Sequence, residues 1–325
     1  MSIYVLKVFG MKHISCFSLL ALFVLSGNAV FAQSRAYATN EGAGTISVID
    51  IATDTVVSTI ETGGKPRGLT LCKGSKKLYV TEQNKAQLWV IDPVKGVIEQ
   101  RVQLGESPEA VYCSPNGEWL GVANEGSNSI SFIHTQRLKV EFDIAVHGKN
   151  PEHGVFSPDG KTMLVSAEEA DQVDVLDIEK RKQVGSIKVG ERPRGIAFTP
   201  DGKKAYVAVE AGSLLVAIDM AERKVIGKQA VGKRTAGVAV SPDGAYVFAT
   251  NGGDANVSMV DTATFKLVDN IAIGQRPWNM GFSPDGQKLY IASGRSGSVS
   301  VVDIASRKMV KEIPTGKLPW GVVAH

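Results

Sequence analysis

The sequence predicts an all-β fold, a seven-bladed β-propeller of four-stranded antiparallel blades, and three observations carry that prediction. Pro66, Pro108, Pro151, Pro193, Thr235, Pro277 and Pro319 recur at steps of 42 or 43 residues. A repeat of this length holding several short strands marks radially stacked four-stranded sheets. A glycine stands three residues before each of these positions: Gly63, Gly105, Gly148, Gly190, Gly232, Gly274 and Gly316. Finally, an apolar pair at a spacing of two recurs in every unit: Ile46 and Val48, Leu88 and Val90, Ile130 and Phe132, Val173 and Val175, Leu215 and Ala217, Val257 and Met259, Val299 and Val301. Period two is a strand signal, and seven occurrences predict seven blades.

Each unit justifies its elements in order. The repeated proline opens the first strand. Five units then carry a tight turn of the form Ser-Pro-Asp-Gly, at residues 114–117, 157–160, 199–202, 241–244 and 283–286, with Asn116 and Thr199 as substitutions. Proline presets φ, the Asx side chain closes onto nearby backbone and glycine accepts positive φ, so strands must flank the turn. Unit two departs from this, reading Cys72-Lys73-Gly74-Ser75-Lys76. An aromatic-rich second strand follows, as in residues 77–81 and 288–292, and then the alternating third strand. Ser47, Ser131, Ser258 and Ser300 sit between its apolar pairs, small enough for another sheet to approach. Asp50, Asp92, Asp177, Asp219, Asp261 and Asp303 end the strand, where a carboxylate can cap the next turn, and His134 is the exception.

The register also predicts how the ring closes. The last unit supplies only a first strand, residues 319–325, and the first unit, starting at Arg35, lacks one. The C-terminal strand is therefore expected to complete the N-terminal blade, which removes an open edge.

Residues 1–32 differ from the rest. Lys7 and Lys12 precede an apolar stretch from Cys16 to Leu25, and Val30-Phe31-Ala32 offers a small-residue cut before Gln33, with Met11 an alternative start. This reads as a cleaved secretory signal followed by one domain, 33–325, exported to the periplasm. The apolar run is shorter than the roughly 20 residues of a membrane span. Cleavage takes two Lys and no acids from 36 basic and 33 acidic residues, leaving 34 against 33. A nearly neutral chain lacks the basic excess that nucleic acid requires.

Cys72 and Cys113 remain after cleavage, one step apart in the registers of neighbouring units. An oxidising compartment permits a bridge, but alternate strand positions point to opposite faces, which favours two buried thiols.

Function is expected where the units differ, on the loops that open onto the central channel. Around the repeated proline stand Arg67, Glu109, Glu152, His153, Arg194, Arg234, Arg276, Trp278, Asn279 and Trp320. Arginine forks pair with carboxylates and indole faces stack on planar groups, so the set suits a small planar anion. The same loops bring Glu41, Glu82, Glu125, Glu168, Glu169 and Glu210, which could neutralise the arginines, and Trp278 and Trp320 could plug the channel. No nucleophile elbow, zinc-protease helix, phosphate loop or haem-attachment motif is present. Glu109, Glu152, Asn150, Asn279 and His153 are the set that could surround a divalent ion, if their oxygens converge.

Tyr37-Ala38-Thr39-Asn40, Tyr79-Val80-Thr81-Glu82 and Phe248-Ala249-Thr250-Asn251, with the Ser-Pro-Asp-Gly turns and Val-Ile-Asp strand ends, resemble the YVTN-type β-propeller repeat over residues 35–325. As a whole the chain resembles exported β-propeller proteins associated with catabolism dependent on pyrroloquinoline quinone (PQQ). The resemblance implies a non-catalytic accessory role in periplasmic alcohol oxidation. PQQ is then a possible ligand, and a quinoprotein dehydrogenase or c-type cytochrome a possible partner. No catalytic residues carry over. The alternatives are a lactonase-like, metal-dependent hydrolase working in the channel and a periplasmic or surface interaction scaffold.

Overall fold

The computed structural model describes residues 1–2 and 34–325; the apolar stretch of the expected signal segment and the expected cut before Gln33 lie outside the described residues. Along the chain run 28 described strands, β1 to β28, interrupted by a 3₁₀ turn at Glu168–Ala170. They form seven four-stranded antiparallel sheets in a ring. β28 (Pro319–Ala324), β1 (Arg35–Asn40), β2 (Thr45–Asp50) and β3 (Thr55–Glu61) make one blade, in that order from the axis outwards. The remaining blades are 66–103, 108–145, 151–188, 193–230, 235–272 and 277–314. Closure is as the register predicts, with Tyr37 opposite Val323 and Thr39 opposite Gly321.

The axis is lined by the first strand of each unit: β4 (Pro66–Leu71), β8 (Pro108–Cys113), β12 (Pro151–Phe156), β16 (Pro193–Phe198), β20 (Thr235–Val240), β24 (Pro277–Phe282) and β28. Apolar clusters bridge neighbouring blades, as where Val173 and Val175 pack with Ile196, Val207 and Val216. All seven apolar pairs named from the sequence are at most 5% exposed. Each large side chain buried this way contributes roughly 1.5–3 kcal/mol, so the cores between blades hold the ring together.

Polar residues in the repeat fasten the blades. Thr81 Oγ donates to the carbonyl of Glu109 in the next blade at 2.6 Å and accepts the Gly68 N–H at 2.9 Å. Thr39 does the same with Arg67 and Gly321, and Thr250 with Trp278 and Gly237. The following asparagine reaches the third strand: Asn40 donates to Ser47 at 3.0 Å, Asn124 to Ser131 and Asn251 to Ser258 at 2.8 Å. These serines are therefore acceptors for a buried amide, and small size is only part of their role. The amide also explains the repeated glycine of the three units whose glycine faces it, Gly105, Gly232 and Gly316. A Cβ at Gly316 would stand 2.7 Å from Asn40, and one at Gly232 would stand 2.6 Å from Asn251.

Two local departures resolve simply. His134 Nδ1 accepts the Gln136 N–H at 3.2 Å, the service Asp177 gives Lys180 at 2.9 Å. The irregular turn of unit two is closed by the Ser75 N–H on the Cys72 carbonyl at 2.9 Å, with Gly74 at φ +77°.

Cys72 and Cys113 form a disulfide, which overturns the expectation of two thiols. Cys72 lies one residue beyond the end of β4, where the pleat no longer dictates direction, while Cys113 is the last residue of β8. Adjacent inner strands bring their Cα atoms to 5.5 Å, within bridging range.

Candidate functional site at the propeller axis

A bulge builds the site. In the units that begin at Pro66, Pro108, Pro151, Pro193, Thr235 and Pro277, pairing of the first strand with the second skips from the repeated position to the residue three later. The two skipped residues leave the ladder, and a bulge of this kind re-aims side chains. Arg67, Glu109, Glu152, His153, Arg194, Trp278 and Asn279 all occupy skipped positions, which is why they gather at one end of the channel.

The preceding loop sets the rim. Ser107, Asn150, Arg192, Arg234, Arg276 and Leu318, each just before the repeated position, adopt φ between 52 and 59°. Their carbonyls accept the N–H of Glu125, Glu168, Glu210, Gly252, Gly294 and Glu41. The left-handed geometry recurs whatever the residue type, so it belongs to the loop and not to any one side chain. It places the arginines directly beside glutamates of the loop between second and third strands.

Those arginines are engaged. Arg194 lies at the centre, with Nη1 on Glu152 and, at 2.6 Å, on Glu168, and with Nε 3.2 Å from Glu210. Arg192 pairs with Glu168, and Arg234 approaches Glu210 at 3.3 Å. Arg276 stands 3.8 Å from Glu210 and 4.2 Å from the Trp278 ring. Arg67 Nε lies 2.8 Å from Glu109, and its guanidinium is 5.3 Å from the Trp320 ring. The side chains of Arg192 and Arg234 remain 53% and 56% exposed, whereas that of Arg194 is 10% exposed.

Burial dominates the proton affinities. It pushes the Glu109 carboxyl up to about 9, against the pull of Arg67 and with help from Glu152. Glu152 is raised by burial too, Arg194 opposing and Glu168 assisting. Burial works against the Arg194 charge, but the surrounding Glu152, Glu168 and Glu210 outweigh it and hold the guanidinium above its ordinary value.

Below this layer the channel widens into a cavity of about 470 Å³. Its walls are apolar: Val111, Val155, Phe198, Val240, Met280 and Val323 are among them, and exposed Pro158, Pro200 and Pro242 mark the open rim. Its floor carries the polar groups. Tyr112 Oη lies 2.8 Å from His153 Nδ1, and His153 stacks on Trp320 with ring centroids 6.2 Å apart. Asn279 Nδ2 is 3.5 Å from the Trp320 carbonyl, longer than a good hydrogen bond. Burial, then the charges of Arg194 and Arg67, lowers His153 to about 3, and burial raises the Tyr112 phenol. Both are neutral at ordinary pH.

The ten residues named from the sequence thus divide between two places. Arg67, Glu109, Glu152, Arg194, Arg234, Arg276 and Trp278 form the ion-paired cap. His153, Asn279 and Trp320 line the cavity beneath it. Sequence reasoning missed Tyr112, although a signal existed: four residues after the repeated proline the other units carry Thr70, Val155, Ala197, Ala239, Gly281 and Val323.

The model of the lactonase, seven-bladed β-propeller family matches residues 96–187 and 179–313. The chain belongs to that family. No curated protein matches it in sequence. Among solved structures it is similar to Kuenenia stuttgartiensis hydrazine synthase, with 23% identity and a TM-score of 0.71 over 79% of this chain and 89% of the other. It is also similar to a functionally unknown protein from Desulfotomaculum acetoxidans DSM 771, with 17% identity and a TM-score of 0.77 over 89% and 98%. A candidate 6-phosphogluconolactonase from Bacteroides uniformis ATCC 8492 gives 18% identity and a TM-score of 0.75 over 90% and 100%. At these identities the likeness is one of fold.

For this member of the lactonase-propeller family, the cap residues fit neither group weighed from the sequence. PQQ is a tricarboxylate, and to hold it the arginines would have to abandon glutamates in a buried layer. Among the described residues no three His, Cys, Asp or Glu side chains are arranged to hold a metal ion. Glu109 and Glu152, the carboxylates such an ion would use, are taken by Arg67 and Arg194.

Proposed function

We propose that this protein is a non-catalytic binding propeller that takes a small, mainly apolar molecule into its central cavity. The carrying observation is the asymmetry of the channel: one end carries a layer of interacting Arg, Glu and Trp side chains, and the other opens as an apolar pouch. A volume of about 470 Å³ lies within the usual span of small-molecule pockets. Within the pouch itself His153 and Tyr112 exchange protons far from neutral pH, and the one carboxyl raised to about 7, Glu152, is held by Arg194 in the cap, which supports binding over turnover.

The family match favours a second reading, hydrolysis of a lactone. Titration with an environment-sensitive apolar dye, beside an assay on a panel of lactones, separates the two. We expect saturable dye binding that Ala197→Phe abolishes by filling the pouch, and no lactone turnover above the uncatalysed rate. Turnover lost in His153→Gln would replace binding with catalysis.

The proposal places the protein outside the cytoplasm, supported by the signal-like segment and by the Cys72–Cys113 bridge, since such bonds persist in oxidising compartments. A quinoprotein dehydrogenase or c-type cytochrome is the proposed partner on the strength of the resemblance. The exposed Arg192 and Arg234 are the cations it would meet at the capped end.

A further inference from the structure

We infer that the capped end of the ring is an interface for a second copy of this chain. The two faces meet about a two-fold axis that sets the acidic half of one against the basic half of the other. This goes beyond the binding reading above and does not depend on what the pouch holds.

Two loops per unit build this face. The loop entering the first strand and the loop joining the second strand to the third are tied by backbone hydrogen bonds. Gly252 and Gly253 donate to the carbonyls of Arg234 and Lys233, Arg295 donates to that of Gln275, and Gly126 to that of Glu106. The charges of both loops therefore stand together at the capped end, unit by unit around the ring. In the three consecutive units that begin at Pro108, Pro151 and Pro193, the charges that reach solvent are mainly acidic. They are Glu106, Glu125, Glu169, Asp171 and Glu191, against Lys149 and Arg192. Around the remaining arc, from Thr235 through Pro277 and Pro319 to Pro66, they are mainly basic. They are Lys65, Lys85, Lys233, Arg234, Arg295 and Lys317, against Glu41 and Asp254. Of the five acids and six bases, only Arg234 has an ion-pair partner among the described residues, Glu210 of the cap.

A face that carries both signs in near balance, each gathered on its own arc, is complementary to itself. Rotation by half a turn about the line dividing the arcs lays the acidic units of one copy on basic units of the other. The contact is isologous, so both halves are satisfied at once. A partner of one charge sign would be repelled by one of the arcs. Leu318, 41% exposed in the same loops, adds an apolar contact. The partner proposed above would meet Arg192 and Arg234 on this face too, so it and a second copy exclude one another there.

Sedimentation velocity on the purified protein tests this. We expect a dimer at about 50 µM in low salt, its apparent Kd weakened about 10-fold or more in about 0.5 M salt, because exposed charges are screened. Two charge-reversed variants decide the face. Glu106→Lys with Glu191→Lys removes the acidic excess, and Lys65→Glu with Lys233→Glu and Arg295→Glu removes the basic one. Each variant alone should self-associate at least about 10-fold more weakly than the parent, since like arcs now meet. An equimolar mixture of the two should recover a one-to-one complex. All five side chains are exposed, and an unchanged melting temperature shows that each variant is folded. A parent that stays monomeric in low salt overturns the interface. A dimer that survives in both variants, or that ignores salt, places the contact elsewhere and overturns it as well. Two folded variants that fail to associate on mixing overturn the pairing of the arcs.

Discussion

Thr250 of one blade donates its hydroxyl to the carbonyl of Trp278 in the next at 2.6 Å, while accepting the Gly237 N–H of its own blade. The threonine of the repeat motif is thereby a fastening between blades. It also satisfies the backbone that the bulge releases from the ladder, so the fold and the cap share one hydrogen bond. Thr250→Val keeps the shape and leaves both backbone groups without this partner. We expect a loss of about 1–3 kcal/mol in urea unfolding, with Thr250→Ser recovering most of it. Equal stability of the valine variant would show that water replaces the hydroxyl.

Removal of residues 319–325 deletes β28 and exposes the edge of β1. Trp320 and Val322 are nearly buried, and the ladder to β1 is lost with them. A loss of at least about 5 kcal/mol is expected, with self-association through the open edge. Calorimetry and light scattering report both. An unchanged melting temperature would remove the closing strand from the account.

The Cys72–Cys113 bridge closes a 41-residue separation. Loop entropy gives about 2–4 kcal/mol of stabilisation. The double variant Cys72→Ser with Cys113→Ser should unfold at correspondingly lower denaturant. Reductant should shift the parent protein towards that midpoint and leave the double variant unmoved.

Two buried groups predict opposite pH limbs. Glu109 rises from 4.5 to about 9 on folding, so the folded state holds the extra proton and stability falls as pH climbs from 4.5 towards 9. His153 drops from 6.5 to about 3, so stability falls as pH declines from 6.5 towards 3. Glu109→Gln should flatten the alkaline limb and His153→Gln the acid one, measured as unfolding free energy at a series of pH values. Parallel curves for parent and variants would contradict both assignments.

The blade architecture was legible because every unit solves the same local problem. The Pro–Gly spacing and the alternating apolar pairs state period, strand and turn in residue types that depend little on what lies elsewhere. The cap was half legible. Arg194 and Glu210 could be named as neighbours of one mouth, but their pairing depends on bulge and loop geometry that repeat spacing does not encode. Cys72 and Cys113 were misread because pleat alternation was applied one residue past the end of a strand. Tyr112 stands four residues beyond its repeated proline, away from the flanking positions where the units differ in charge.

The sequence by itself determined a ring of seven four-stranded blades, its split closing blade and the identity of the polar residues near the axis. Those follow from local periodicity and from the need to pair every edge. Only the tertiary structure decided that the arginines lie against glutamates, that two cysteines join neighbouring blades, and that an apolar cavity lies beneath the cap. Each of these depends on side chains from different blades meeting at the axis. Such meetings are set by the packing of the ring, and no single repeat contains both partners.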